Sequence, residues 1–412
     1  MTDCKKQKSV NKRNLKRSLT LTSVFWFLVF ILPAVKFYAV QLNSILDLIF
    51  DIWGVASFFI LTLIVIHKDI KLPKGFLPLI LFWIVYIFST LIHSGTTAIS
   101  GAISEICRLM IIPLYLIIIN SKGECTFNSG LSKLRILYIV ILFFDSLITI
   151  IECLGFTIFE YGSICSLLGL DNYAIFYVLP MLSVILFVSQ KLNGKLLKLD
   201  ILIFALCYVS KLITLAVTGI FALTAMLFVI LLFKYCKFLK RRLSLKVLFV
   251  LLVLLVFGVI LFQIQRVFAP LFNLFGKDVT MSYRTIIWDK TFNAILNKPF
   301  LGYGKILDKN FQVTVGLSPI VDVQANHPHN YILALLYSTG LVGFFLFISM
   351  LFVAFGKVGK NIQRNDCLFL FSGILGFMVL MFTDDYITIP AFYVMLTISL
   401  LLKKEKSSKY GK

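Results

Sequence analysis

His327 and His329 stand in the run Asn326-His327-Pro328-His329-Asn330, directly ahead of a long apolar stretch, and make up half of the four histidines in the chain. An imidazole titrates near neutral pH, so a histidine there can take a proton from a substrate hydroxyl. The start of an apolar helix also presents unpaired backbone N–H groups, which favour a phosphate. A structural reading is open beside it, with Asn330 as a helix cap and His329 as a satisfied loop residue. Residues 266–330 gather Arg266, Lys277, Arg284, Lys290, Lys298, Lys305 and Lys309. Seven cations in one segment suit an anionic substrate, and guanidinium groups can meet a pyrophosphate bidentately. Arg284 and Trp288 are four apart, on one face of a helix predicted over 281–297, capped by Thr280 or Ser282 and stopped by Pro299. The plain account of that helix is an amphipathic rod lying on the bilayer with its Trp at the interface. The chain contains no Asp-x-Asp motif and no CxxC pair among its eight cysteines, so no metal is expected. Asp384-Asp385 reads as a solvated turn.

These groups need a scaffold, and composition decides its kind. Of 412 residues, 59% are hydrophobic and only 14% charged, whereas a water-soluble chain keeps about 25% charged residues. Backbone polar groups cannot stay unpaired in hydrocarbon, and continuous apolar runs near 20 residues are helix spans rather than barrel strands. The predicted fold is an all-α polytopic membrane protein with about twelve spans. They lie near 20–40, 45–66, 76–93, 102–119, 134–155, 173–189, 199–215, 218–233, 244–265, 331–355, 366–383 and 388–402.

Charge sets the orientation, because cytoplasmic loops carry excess Lys and Arg. With the N-terminus inside, thirty of the forty basic residues fall in segments assigned to the cytoplasm. Basic flanks on both sides of 199–233 require that stretch to go out and back, turning near Thr218-Gly219. The net charge of +21 is therefore a topology signal and not a nucleic-acid patch. The organisation expected is a basic cytoplasmic tail over 1–19, nine spans in 20–265, a large extracytoplasmic loop over 266–330, three spans in 331–402 and a second basic tail over 403–412. That loop precedes the third-last helix.

His329-Asn330, nine residues, Gly340, two residues and Gly343 resembles the H-N-x9-G-x-x-G signature of the bacterial O-antigen ligase and O-antigen polymerase superfamily. Arg284-x-x-x-Trp288, Pro299-x-x-Gly302-x-Gly304 and His-x-His-Asn occur in that family's order. Leu168-Gly169-Leu170-Asp171-Asn172-Tyr173, with Ala174, is similar to the family's G-L-x-x-N-x-x-A stretch ahead of a span. One departure stands out: the family's Ser-Arg pair after a Thr-Gly turn is replaced here by Ile220-Phe221. Lys211 or Arg266 would then supply the missing charge, and Arg108, three residues after Glu105, is another candidate.

The resemblance implies an enzyme of the inner membrane that works on glycans carried by undecaprenyl pyrophosphate, joins one to an acceptor hydroxyl and releases the lipid pyrophosphate. His329 and Arg284 would be catalytic, and Arg266, Arg108, Lys211, Asn330, His327 and Trp288 would bind substrate. No cofactor is implied. The expected partners are the lipid-linked donor, a glycan acceptor, the bilayer, a chain-length regulator and a flippase. Polymerisation of O-antigen or capsular repeat units is favoured, ligation of the finished glycan to a lipid core or other acceptor is the alternative, and transport of the lipid-linked unit is a third reading. Transport is disfavoured because a flippase would carry cations deep in several helices and show repeated halves. Asp145 and Lys211 are the two charges deep within spans, and they are expected to form a buried structural pair.

Overall fold

The computed structural model describes residues 21–35, 37–94, 96–156, 158, 165–236, 284–317, 325–382, 384 and 386–403. The expected span 244–265, Arg266, the caps Thr280 and Ser282, and both tails but for Lys403 lie outside these residues.

The described chain is helical, with a single two-residue β-ladder, Cys165–Ser166 against Gly169–Leu170. Its helices in chain order are α1 (Leu21–Ile31), α2 (Tyr38–Gln41), α3 (Ser44–His67), α4 (Phe76–His93), α5 (Thr96–Ser121), α6 (Glu124–Cys153) and α7 (Asp171–Asn193). There follow α8 (Lys198–Ile213), α9 (Val217–Tyr235), α10 (Arg284–Asn297), α11 (Asp308–Thr314), α12 (Tyr331–Lys360), α13 (Cys367–Leu380) and α14 (Pro390–Leu401). Seven of the described helices are long and apolar enough to cross a membrane, and shorter apolar helices accompany them. The protein is an all-α polytopic membrane protein.

Two expectations shift in detail. The stretch 199–233 is two helices, but the break falls at Thr214–Ala216, with Leu215 at φ 52°, three residues before the predicted turn. The first predicted span is not one rod: α1 gives way to a 3-10 turn at Leu32–Ala34, where Pro33 removes a donor.

Helix α7 sits at the centre, buried along most of its length, and packs on α6, α13 and α14. Lipid chains are as apolar as Leu, so membrane helices associate through close packing and small residues. At the α7–α13 crossing, Ser183 Oγ donates to the Phe369 carbonyl over 2.9 Å, and Gly373 leaves room for that hydroxyl. Around this core α12 packs on α4, α3 on α5, and α14 on α5. The connections α3–α4, α5–α6, α7–α8 and α12–α13 meet at one end of the bundle. There Arg135 holds the buried Asp200 (3.0 Å from Nε), and Lys191 approaches Glu124 at 3.8 Å. We refer to this end as the basic face. Of the residues expected to do chemistry, Arg284, His327, His329, Asn330 and Arg108 collect at the opposite end.

Candidate active site

The site is built on a break in α12. Gly340 adopts φ 60°, ψ −164° inside that helix, a backbone region essentially restricted to glycine. The groups this kink frees are taken by the turn that follows α10. Leu341 N donates to Pro299 O (2.8 Å), Val342 N to Phe300 O (3.2 Å), Tyr303 N to Tyr337 O (2.6 Å) and Gly304 N to Ser338 O (3.0 Å). A Cβ at Gly340 would come within 2.3 Å of the Phe300 carbonyl, and one at Gly302 within 2.3 Å of Tyr337 O. The two glycine motifs seen in the sequence are thus two halves of one joint, and that joint fixes α10 to α12.

Helix α10 presents Ile287, Trp288, Thr291, Ala294 and Ile295 as its buried side, at helical spacing, against α12. Trp288 is 3% exposed, so this helix packs on protein instead of laying its Trp into the bilayer interface. Arg284 stands at its first turn. Asn330 caps α12, accepting from Ile332 N (3.0 Å) and Leu333 N (3.1 Å), as the plain reading expected. Tyr331 N donates to Met381 O (2.9 Å), which clamps the His-Pro-His-Asn segment to the end of α13.

That clamp brings Asp384 to the histidines. His329 Nδ1 lies 3.3 Å from Asp384 Oδ1 and His327 Nδ1 3.6 Å from the same oxygen. The two imidazole rings are 3.9 Å apart. Asp384 is 6% exposed while the histidine side chains stay partly open, so the acid is not the solvated turn expected from Asp384-Asp385. The reason is tertiary: the residue follows α13 directly and is folded under the histidine loop. Burial alone would raise the Asp384 carboxyl. The hydrogen bond from His329, with the charges of His329, His327 and Arg284, outweighs burial and holds it below its ordinary value. An ionised carboxylate only accepts, so His329 donates through Nδ1–H, an arrangement that in the neutral ring leaves the lone pair on Nε2. His329 also has φ 51°, a left-handed conformation that costs energy in a non-glycine residue and often marks functional positions. His327, His329 and Asp384 each offer one ligand atom, all within 4.8 Å of one another, so the trio is also of a kind that can hold a transition metal.

Beside the trio, the Tyr386 ring lies 5.9 Å from His327 and 4.4 Å from Tyr173. Tyr173 and Thr388 line a polar cavity of about 180 Å³ that also takes in Glu105, Arg108, Tyr177 and Gln41. Arg108 Nη1 is 3.1 Å from Asp51 Oδ1, and its buried Nε has no hydrogen-bond acceptor among the described residues. Glu105 is held by Lys305, 2.6 Å away, and Lys305 is itself fixed through its amide to Thr90 Oγ1 (2.9 Å). Lys211 lies elsewhere. It is fully buried in α8, with its stem against Gly219, and it does not line this cavity. Both Lys211 and the buried Asp145 act on Cys207, and Asp145 Oδ1 accepts from Leu168 N (2.9 Å).

Residues 201–348 match the family model described as O-antigen ligase. The matched range runs from α8 through most of α12, and so contains Arg284, the joint and both histidines. The match agrees with the resemblance of the His-Asn and glycine motifs to the O-antigen ligase and polymerase superfamily. A stretch of 91 residues is 29% identical to a protein of Rickettsia conorii (strain ATCC VR-613 / Malish 7) that bears the name of a polysaccharide ligase. That similarity covers 20% of this chain and 22% of the relative, so the chain matches about a fifth of the relative's length. No solved structure matches.

Sequence reasoning missed Asp384, Tyr386 and the Glu105–Lys305 bridge. The first two follow α13 and lie outside the matched range, and the bridge joins residues 200 positions apart. Their one local signal is acid and phenol placed against apolar runs.

Proposed function

We propose that the protein joins lipid-linked glycans by metal-independent glycosyl transfer, polymerising repeat units carried on undecaprenyl pyrophosphate at the outer face of the inner membrane. The observation that carries the reading is His329, oriented by Asp384, beside Arg284 at the end of the bundle opposite the basic face. His329 Nε2 takes the proton of the acceptor hydroxyl as that oxygen bonds to the anomeric carbon of the donor. The bond from the same carbon to the pyrophosphate oxygen breaks, and the negative charge stays on the departing lipid pyrophosphate. Arg284 binds that charge, with Arg108 as the second cation from the adjoining cavity. Asp384 stabilises the imidazolium that forms and holds the ring in its useful tautomer. The trio's metal-binding geometry is the competing chemistry. A chelator that abolished transfer would favour it.

Thr218-Gly219-Ile220-Phe221 lacks the arginine that the resemblance leads one to expect, and this departure is easier to accept in a polymerase than in a ligase. The second reading, ligation to a lipid core, draws on the relative's name and the family description. The family match favours either over transport. Purified protein given lipid-linked repeat units alone is expected to build a ladder of longer glycans. Transfer only when a lipid-core acceptor is added would replace the polymerase reading with the ligase one.

A further inference from the structure

We infer that the basic face holds a binding site for the phosphate headgroup of an anionic membrane lipid, built from the α3–α4 loop and the last residues of α5, α12 and α14. A cavity of about 370 Å³ opens there, at the end of the bundle away from the histidines. Lys71, Lys357 and Lys403 line it, and among the described residues no Asp or Glu does. Lys74 and Lys360 stand close enough for their charges to act on Lys357. Three cations thus line a space that no carboxylate among the described residues lines, and two more stand near one of them.

The bland explanation is that these lysines complement the carbonyl ends of three helices. It covers Lys357, whose Nζ donates to Leu400 O. It leaves out Lys71, Lys74 and Lys403, which are exposed and make no ion pair with a described residue. Asp69, on the same loop, is exposed and does not line the cavity. Most of the remaining wall is apolar, formed by Ile70, Pro73, Ile117 and Leu400–Leu402, with the uncharged polar Asn120 and Ser121 at the end of α5 beside them. Cations on one side and an aliphatic wall on the other, where spans end, match a lipid with its phosphate among the lysines and its chains along the helices. Basic pockets between membrane helices recognise anionic headgroups in this way. A soluble phosphate would use the lysines but have no use for the apolar wall. The site is separate from the proposed transfer chemistry and does not depend on it.

The test uses the full chain in mild detergent, with bound lipid counted by native mass spectrometry. The probes are dioleoyl phosphatidylglycerol, dioleoyl phosphatidylcholine and free glycerol 1-phosphate. Phosphatidylglycerol is expected to be retained in preference to phosphatidylcholine, and glycerol phosphate to bind far more weakly. The variant Lys71→Gln/Lys74→Gln/Lys403→Gln changes exposed side chains only, so its melting temperature without lipid should equal that of the unmodified chain. Its retention of phosphatidylglycerol should fall at least about tenfold. Lys357→Gln should weaken retention as well, and the lipid preference of the unmodified chain stands as a test even where a variant folds poorly. Equal retention of the two lipids, or undiminished retention in the triple variant, would overturn the site. Glycerol phosphate binding as tightly as the lipid would overturn the lipid assignment.

Discussion

An imidazole becomes a directed base only when its tautomer is fixed. Here Asp384 supplies that constraint from 55 residues away, over a 3.3 Å contact to Nδ1. The contact also makes a statement about stability and pH. A carboxyl held below its unfolded value contributes stability that is fully present above about pH 4 and is lost as the pH falls through the lower folded value. Thermal melts in detergent are therefore expected to lose stability on acidification below that point, and Asp384→Asn should flatten the dependence. The same substitution should slow turnover by up to about 10⁴, the scale on which neutralising a tautomer-fixing aspartate acts. A variant as active as the unmodified chain would leave Asp384 with a packing role only. His329, Arg284 and Asn330 were legible because they sit in one short segment and in motifs with fixed spacing. Asp384 was not, since an acidic pair between two spans looks the same in sequence whether it meets water or folds under a histidine loop.

Among the elements, the kinked helix α12 does most to place the site. Gly340 opens the backbone, residues 299–304 fill the opening, and Arg284 at the start of α10 is thereby tied to the helix that His329 immediately precedes. Gly340→Ala should cost of order 1–3 kcal/mol for the backbone conformation alone, with a further penalty from the 2.3 Å approach to Phe300. A lower melting temperature together with lost activity is expected, and normal values of both would refute the joint. Helices α6 and α8 carry the other element-level commitment. Asp145 and Lys211 are both buried around Cys207, and removing one partner of a buried pair costs about 3–5 kcal/mol. Asp145→Asn or Lys211→Met should lower the yield of folded protein. Normal yield with activity lost would move these residues from support to substrate. The sequence signalled the two helices in 199–233 through basic flanks, but charge acts at the ends of spans and says little about where between them the chain turns.

At the scale of the whole molecule, the described helices separate two chemistries: the lysine-lined cavity of the basic face at one end, the histidine–aspartate trio with Arg284 and the polar cavity of Glu105 and Arg108 at the other. If the basic face is cytoplasmic, as its charge implies, cysteines introduced at 67–75, 190–198 and 356–365 should resist an impermeant reagent added from outside. Those introduced at 305–325 should react. Outside labelling of 190–198 would reverse that orientation. Composition and apolar run length were enough to read the class of fold, because lipid imposes helices and their length. They could not show which spans touch, since packing between helices in lipid turns on small residues such as Ser183 and Gly373. The central claim is that His329 acts as the base for glycosyl transfer without a metal. It is tested most directly by giving purified unmodified and His329→Ala protein lipid-linked repeat units, with and without a chelator, and measuring glycan length. The chelator should have no effect, and the variant should fold and bind donor while its turnover falls roughly 10²–10⁴-fold. Near-normal chain growth by His329→Ala, or activity abolished by the chelator, would contradict that claim.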